Sequence, residues 1–294
     1  MMLLNLFKKK RLFKFERDTL DKFSNDDIIS EIYSGKRDGV VIQNVFSEAE
    51  LGIIKEHIGK IFPEKFKCFS EIYSYPDTFA SYVNSSSDST SSEDYFLTNE
   101  KIQNSFTDLL GINYTERIET VFSKISKNCK AEVPIGENET GKYPNSTIRV
   151  LTPKGRLHTH CGNFFYEPFY KFYKHLESIV TVKNQLSFFV LIQASEAGGE
   201  LVLFNLRWKN GQVKKEDKED LVIIGNPDSK DFISNPSINK ESEIIKLHPG
   251  DMLVFAGGEI WHKVSQPVGE INRITIGGFL GKSAKGDNKL YYWS

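Results

Sequence analysis

Histidine is scarce in this chain, six residues in all, and three of them fall where metal chemistry is feasible. His158 and His160 lie on one short β-rich segment and His262 on another, just after Gly257-Gly258. Arg273 heads a further strand-like run, with Thr275 two residues on. Neutral imidazoles are the commonest metal ligands. Two of them with open coordination positions suit a non-haem iron centre, which ordinarily takes one carboxylate as its third protein ligand. A buried arginine beside such a centre presents a planar fork that grips a carboxylate through two hydrogen bonds. Arg273 is therefore the candidate anchor for 2-oxoglutarate. Thr275 alternates onto the same strand face and is expected to meet the same carboxylate.

The carboxylate position is anomalous. Reading from His160 gives His160-Cys161-Gly162, with glycine where Asp or Glu is expected. Reading from His158 gives His158-Thr159-His160, with a third imidazole. On a regular strand His158, His160 and Gly162 share one face, so the spacing leaves both readings open. Glu167, the nearest downstream carboxylate, lies too far along the chain for the same strand to deliver it. A lone histidine in a β-rich chain is usually structural. It is the joint order His…His…Arg with its glycine lead-in that points to a centre.

These residues need a rigid frame. From about residue 145 the pattern is one of short strands bounded by Gly, Pro or Asn: TIRVLTP, RLHTHCG, QLSFFVLIQAS, GELVLFNL, EIIKL, DMLVFAG, EIWHKVSQ and RITIGGFLG. Eight such runs predict an α+β protein built on a double-stranded β-helix, a cupin-like jelly roll of two facing sheets, with N-terminal flanking helices. The expected organisation is one oxygenase-fold domain over 1–294, with 1–140 as mainly helical support and substrate lid and 141–294 as the catalytic core. In the first part, residues 17 to 61 read as helical around a strand at Gly39 to Ile42. Asn25-Asp26-Asp27 is read as one helix cap, and Ser47 opens a helix with Leu51, Ile54 and Ile58 on one face. A further helical region is expected over 99 to 128. The stretch Ser85 to Asp94 is low in complexity and expected to be mobile, and Trp208 to Glu243 interrupts the strands as a lid, contact or decoration. The aromatics between residues 66 and 83, Tyr73 and Phe79 among them, are expected either to line a substrate pocket or to pack helices.

A formal net charge of −1 gives no basic surface for nucleic acid or anionic membrane, and neither partner is expected. No apolar run approaches the ~18–20 residues of a membrane span. The N-terminal apolar run is short and precedes its basic cluster, unlike a signal peptide. Cys68, Cys129 and Cys161 are widely spaced and expected to be free thiols, consistent with a cytoplasmic enzyme.

Four segments, HCGNFF, QLSFFVLIQASEAGGELVLFNLRW, PGDMLVFAGGEIWHKVSQPVGEINRITIGGFLG and KLYYWS, resemble the freestanding aliphatic halogenases of hapalindole- and welwitindolinone-type indole alkaloid pathways. The likeness extends more weakly through EVPIGENETGKYPNSTIRVL and the N-terminal helices. It implies iron(II) held by His160 and His262, with Gly162 marking the open position that chloride takes, and dioxygen as co-substrate. It implies Arg273 as the 2-oxoglutarate anchor, Ser187 as a serine close to the metal, and Phe165 as a wall of the substrate pocket. His158 departs from the family, which carries a small residue there, and so makes the pocket more polar. The implied activity is chlorination of an unactivated aliphatic C–H of a small molecule, a natural product. A hydroxylase on the same fold is the alternative, and a non-catalytic jelly-roll binding protein a more distant one.

Overall fold

The computed structural model describes residues 11–24, 26–85, 92–167, 170–208, 220–222, 233–235 and 241–294. The N-terminal tail before residue 11, the centre of the Ser85 to Asp94 stretch and most of the Trp208 to Glu243 insertion lie outside the described residues. All eight expected strand runs form strands: Thr147–Leu151, Leu157–His160, Leu186–Gln193, Leu201–Arg207, Ser242–Ile245, Met252–Phe255, Ile260–Val264 and Arg273–Lys282. They divide between two sheets. The larger places Met252–Phe255, Leu186–Gln193, Arg273–Lys282 and Thr147–Leu151 side by side, all antiparallel. The smaller has four strands in the order Ser242–Ile245, Leu201–Arg207, Ile260–Val264, Leu157–His160.

The first 140 residues do more than provide helices. Gly39–Gln43 and Phe15–Thr19 extend the large sheet at one side, and the hairpin of Lys67–Phe69 and Ile72–Tyr75 extends it at the other. Phe15–Thr19 is a strand where the sequence reads as helical, because it pairs in parallel with Gly39–Gln43 far along the chain. The strand Lys289–Trp293 adds to Arg273–Lys282 and pairs with Lys130–Glu132.

The helical expectations hold for the first two helices and differ for the third region. Asp27 caps Ile28–Tyr33 by accepting from the Ser30 amide. Ser47 and Glu50 form a reciprocal capping box on Glu48–Ile61, whose Leu51, Ile54 and Ile58 are buried as the spacing requires. The single helical region expected over 99 to 128 is three helices, Ser92–Asn104, Phe106–Leu110 and Tyr114–Lys124. The break falls at Gly111, which adopts the left-handed conformation with φ of 70° and ends the middle helix.

Strand alternation fixes which side chains face the site. Phe188 points to the helical layer, where its ring meets Phe122 edge-on, 4.9 Å between centroids. Burying a side chain of this size contributes about 1.5–3 kcal/mol. Phe189, one residue on, points the other way and lies under the Arg273 guanidinium, 5.3 Å from ring to cation. Arg273 pairs with Leu151 and Thr275 with Arg149, so Arg149, Leu151, Arg273 and Thr275 share that inner face.

Candidate metal and co-substrate site

His160 and His262 are Cα partners on adjacent antiparallel strands of the small sheet. Their rings lie 4.3 Å apart between centroids, tilted by 55°. Each ring is oriented by its own strand. The Nδ1–H of His160 donates to the His158 carbonyl at 2.7 Å, and that of His262 donates to the Ile260 carbonyl at 2.7 Å. A carbonyl oxygen only accepts, so Nδ1 must carry the proton, which leaves Nε2 of each ring as a free lone pair suited to a metal. Burial pushes the His160 imidazole down to about 4, with the Arg149 charge adding to the effect. Burial, and then the neighbouring His160, hold His262 well below its ordinary range. Both rings are therefore neutral at physiological pH, the state a metal requires.

The strand face expected to carry His158, His160 and Gly162 does not extend to Gly162. The pairing slips between His262 and Val264, whose partners are His160 and Leu157, so three steps on one strand oppose two on the other. Such a bulge disturbs the ladder between Leu157 and His160, while Thr159 is buried between the half-buried His158 and His160. His158 is held in place by its backbone, whose carbonyl fixes the His160 tautomer. The strand then stops at His160, and Gly162 opens a short helix, Gly162–Tyr166. Its amide donates to Gly257 O at 2.9 Å and that of Asn163 to Gly258 O at 2.9 Å, tying this turn to the approach to His262. Gly162 is not in the left-handed region, so its backbone conformation is open to other residues. Space is the constraint: a Cβ there would stand 2.9 Å from Gln185 Nε2 and 3.0 Å from Gly258 Cα.

Among the described residues, no group of three or more His, Cys, Asp or Glu side chains converges as a metal cluster. Glu167 is engaged elsewhere, accepting from the Trp208 indole at 2.8 Å. Among the described residues the His160–His262 pair thus stands without a carboxylate; if it held iron, positions on the metal would stay open to small ligands.

The other expected residues divide. Phe165 stands against His160, with ring centroids 5.3 Å apart. Ser187 is the Cα partner of Phe255, whose ring meets His262 edge-on at 5.0 Å, and any side chain at Gly257 would overlap the Ser187 hydroxyl. Arg273 and Thr275 are each 5% exposed on the inner face of the large sheet. Burial pushes the Arg273 guanidinium down to about 9, the Arg149 charge adds to this, and Glu200 opposes it. Tyr73 and Phe79 go elsewhere. Tyr73 pairs with Val150, on the opposite face from Arg149, and its ring packs on Phe62. Phe79 is buried among Tyr82, Tyr95, Tyr143 and Tyr173. Both are packing aromatics and not part of the surroundings of the histidine pair.

Two inward residues escaped the sequence reading, Gln185 and Arg149. The signal for Arg149 was present: a charge in the middle of TIRVL, a strand otherwise apolar or small. Among the described residues its guanidinium makes no ion pair and no side-chain hydrogen bond. Its charge is nevertheless felt at both His160 and Arg273. Two buried cations that make no ion pair among the described residues, near an imidazole pair, are an arrangement suited to anions.

Fold and centre together define a class, the iron(II)- and 2-oxoglutarate-dependent oxidoreductases, whose cofactor set is iron(II), 2-oxoglutarate and dioxygen, joined by chloride in the halogenases. Over residues 12–294 the chain matches the family described as "Carrier-protein-independent halogenase WelO5", and it belongs to that family. Among solved structures it is similar to an N-substituted L-amino acid dioxygenase from Burkholderia ambifaria AMMD in complex with alpha-KG. That similarity has a TM-score of 0.53 at 13% identity, covering 91% of this chain and 90% of that one. A second structure from the same source, described without alpha-KG, also gives 0.53, at 14% identity and 90% coverage of each chain. An oxidoreductase of the 2OG-Fe(II) oxygenase family from Burkholderia pseudomallei gives 0.46 at 13% identity, over 91% and 93% of the two chains. At these identities the first two likenesses show a shared fold and nothing more. No curated protein sequence matches. All three cysteines are free thiols, and no described helix is long and apolar enough to cross a membrane.

Proposed function

We propose that this enzyme is a freestanding halogenase that chlorinates an unactivated aliphatic C–H of a small molecule, a natural product of rigid and largely apolar shape. The observation that supports this reading best is the pairing of His160 with His262 beside a glycine at position 162, with no carboxylate grouped with them among the described residues. With iron(II), 2-oxoglutarate, dioxygen and chloride bound, such a centre supplies hydrogen abstraction from carbon and return of a halogen atom to the same carbon. The chain's own residues do the rest. His160 and His262 hold the metal through Nε2, each locked by its Nδ1–H. Gly162 contributes no side chain, so a halide takes the position and the charge that a carboxylate would otherwise have. Arg273 grips the remote carboxylate of 2-oxoglutarate, with the Thr275 hydroxyl beside it. Phe165 walls the substrate side of His160, and Ser187 puts a hydroxyl close to the His262 strand.

Replacing Gly162 by Asp tests this. The substitution restores a carboxylate beside His160, and the Gln185 amide, the end of a flexible side chain, must move aside for it. With an accepted substrate, wild type is expected to give product with the chlorine isotope doublet in mass spectrometry, and iron-loaded Gly162→Asp mainly hydroxylated product. Wild type yielding only hydroxylated product in saturating chloride would favour a hydroxylase. A folded, iron-loaded Gly162→Asp enzyme that chlorinates like wild type would remove the halide from this position.

Arg149 has an expected role in the same arrangement, as the second cation for the dianionic co-substrate. Charge-assisted hydrogen bonds contribute about 1.5–3 kcal/mol. Arg149→Met is therefore expected to weaken 2-oxoglutarate binding by roughly 10- to 100-fold, read from the anaerobic titration of the visible charge-transfer band. An unchanged titration midpoint would take Arg149 out of co-substrate binding.

A further inference from the structure

Among the described residues, the side chain nearest to a Cβ at Gly162 is that of Gln185. It is only 4% exposed. Its carboxamide makes no hydrogen bond among the described residues, and Oε1 is fully buried without a partner. The orphaned Oε1 is an acceptor and calls for a donor, whereas Nε2, the donor end, makes no hydrogen bond among the described residues and is the end suited to an anion. Its Nε2 stands 2.9 Å, and its Cγ 3.3 Å, from where a Gly162 Cβ would be. The donor end of the amide thus faces the space that a carboxylate occupies in a site with three protein ligands.

The backbone holds Gln185 in this place. Its amide donates to Val182 O at 3.0 Å, and its carbonyl accepts from Gly258 N at 2.8 Å. Gly258 O in turn accepts from Asn163 N, and Gly257 O from Gly162 N. Asn163 and Asn184 close the ring from the side: Asn163 Nδ2 donates to Asn184 Oδ1 at 2.6 Å and Asn184 N to Asn163 Oδ1 at 2.9 Å. The segment carrying His160, the segment leading to His262 and the turn before Ser187 are thereby fastened together, with the Gln185 amide projecting where they meet. No protein acceptor competes for its N–H groups.

We propose that Gln185 is a halide-holding residue, its carboxamide N–H donating to the chloride bound beside Gly162. A halide is an acceptor only, which matches a donor held by fixed backbone and otherwise unpaired. A carboxylate in the same place would collide with this amide, so Gly162 and Gln185 form one device: the first leaves the space and the second supplies the hydrogen bond. This inference rests on the halogenase reading and adds the residue that recognises the anion.

The test needs binding and no turnover. The iron(II)- and 2-oxoglutarate-loaded protein is titrated anaerobically with sodium chloride and with sodium bromide, following the visible charge-transfer band. Wild type is expected to show a saturable shift. Gln185→Leu, similar in volume but without a donor, is expected to need at least tenfold more chloride for half-saturation, with iron stoichiometry and 2-oxoglutarate affinity within about twofold of wild type. Gln185→Glu, acceptor-only and negative, is expected to lose the shift. Gln185→Met serves the same purpose if the leucine variant does not fold. A loaded leucine or methionine variant with wild-type chloride affinity, beside a responsive wild type, overturns the role of Gln185 and leaves the halogenase reading standing. A wild type that does not respond to chloride overturns both.

Discussion

His160→Ala and His262→Ala are each expected to abolish iron binding at stoichiometric metal. The donor set offers two imidazoles and, among the described residues, no third metal-ligating side chain to take over. Mutating the outer partners of metal ligands typically costs about 10–100-fold in affinity or activity, and losing one of only two ligands is expected to exceed that range. An anaerobic iron(II) titration with metal analysis after gel filtration reads the effect. His262 is buried in the small sheet, so a cavity could also destabilise the fold, and thermal unfolding of the metal-free variants separates the two causes. Imidazole added to the alanine variants is expected to restore part of the iron binding by filling the cavity with the missing donor. If either variant keeps wild-type iron affinity, that histidine is not a ligand.

Arg273→Ala is expected to raise the 2-oxoglutarate requirement by about 30-fold to a few thousand-fold, while leaving iron bound. The guanidinium is 5% exposed and stacked over Phe189, with no carboxylate in contact. Its partner is therefore expected from the co-substrate. Truncating one member of a buried, hydrogen-bonded charge pair costs about 2–5 kcal/mol, which sets that range. Arg273→Lys is expected to recover only part of the loss, because an ammonium lacks the two-pronged fork. The anaerobic charge-transfer band gives the 2-oxoglutarate affinity directly, and metal analysis gives the iron. A wild-type titration midpoint in Arg273→Ala would place the co-substrate elsewhere. Loss of iron together with 2-oxoglutarate would mean that the residue supports the fold of the site and not its ligand.

Much of the frame was legible because strands and helix starts are written locally. A run such as QLSFFVLIQ is rich in aromatic and β-branched residues, follows a turn residue and is of strand length whatever its neighbours. The Ser47–Glu50 capping box is a reciprocal pair within four residues. Phe15–Thr19 was not legible, since its strand character comes from pairing with Gly39–Gln43, and the helix Tyr170–Ile179 went unread amid a dense aromatic stretch. Tyr73 and Phe79 illustrate the limit for side chains: composition supplied the aromatics, and strand pairing turned Tyr73 toward Phe62 and away from the site.

The sequence by itself determined the candidate chemistry: two histidines on β-rich segments, a glycine where a carboxylate is expected, and an arginine heading the last long strand. These are facts of residue type and order, and they needed no coordinates. Only the tertiary structure decided how they meet. The bulge opposite His262 and Val264 disturbs the ladder between Leu157 and His160, where three steps oppose two. The end of the strand at His160 puts Gly162 at the start of a helix, fastened to Gly257 and Gly258 from a strand about a hundred residues later. Gln185 and Arg149 became part of the site through the same long-range pairing. A side chain's type is local, but the direction in which it points and the partner it lacks are properties of the packed sheets.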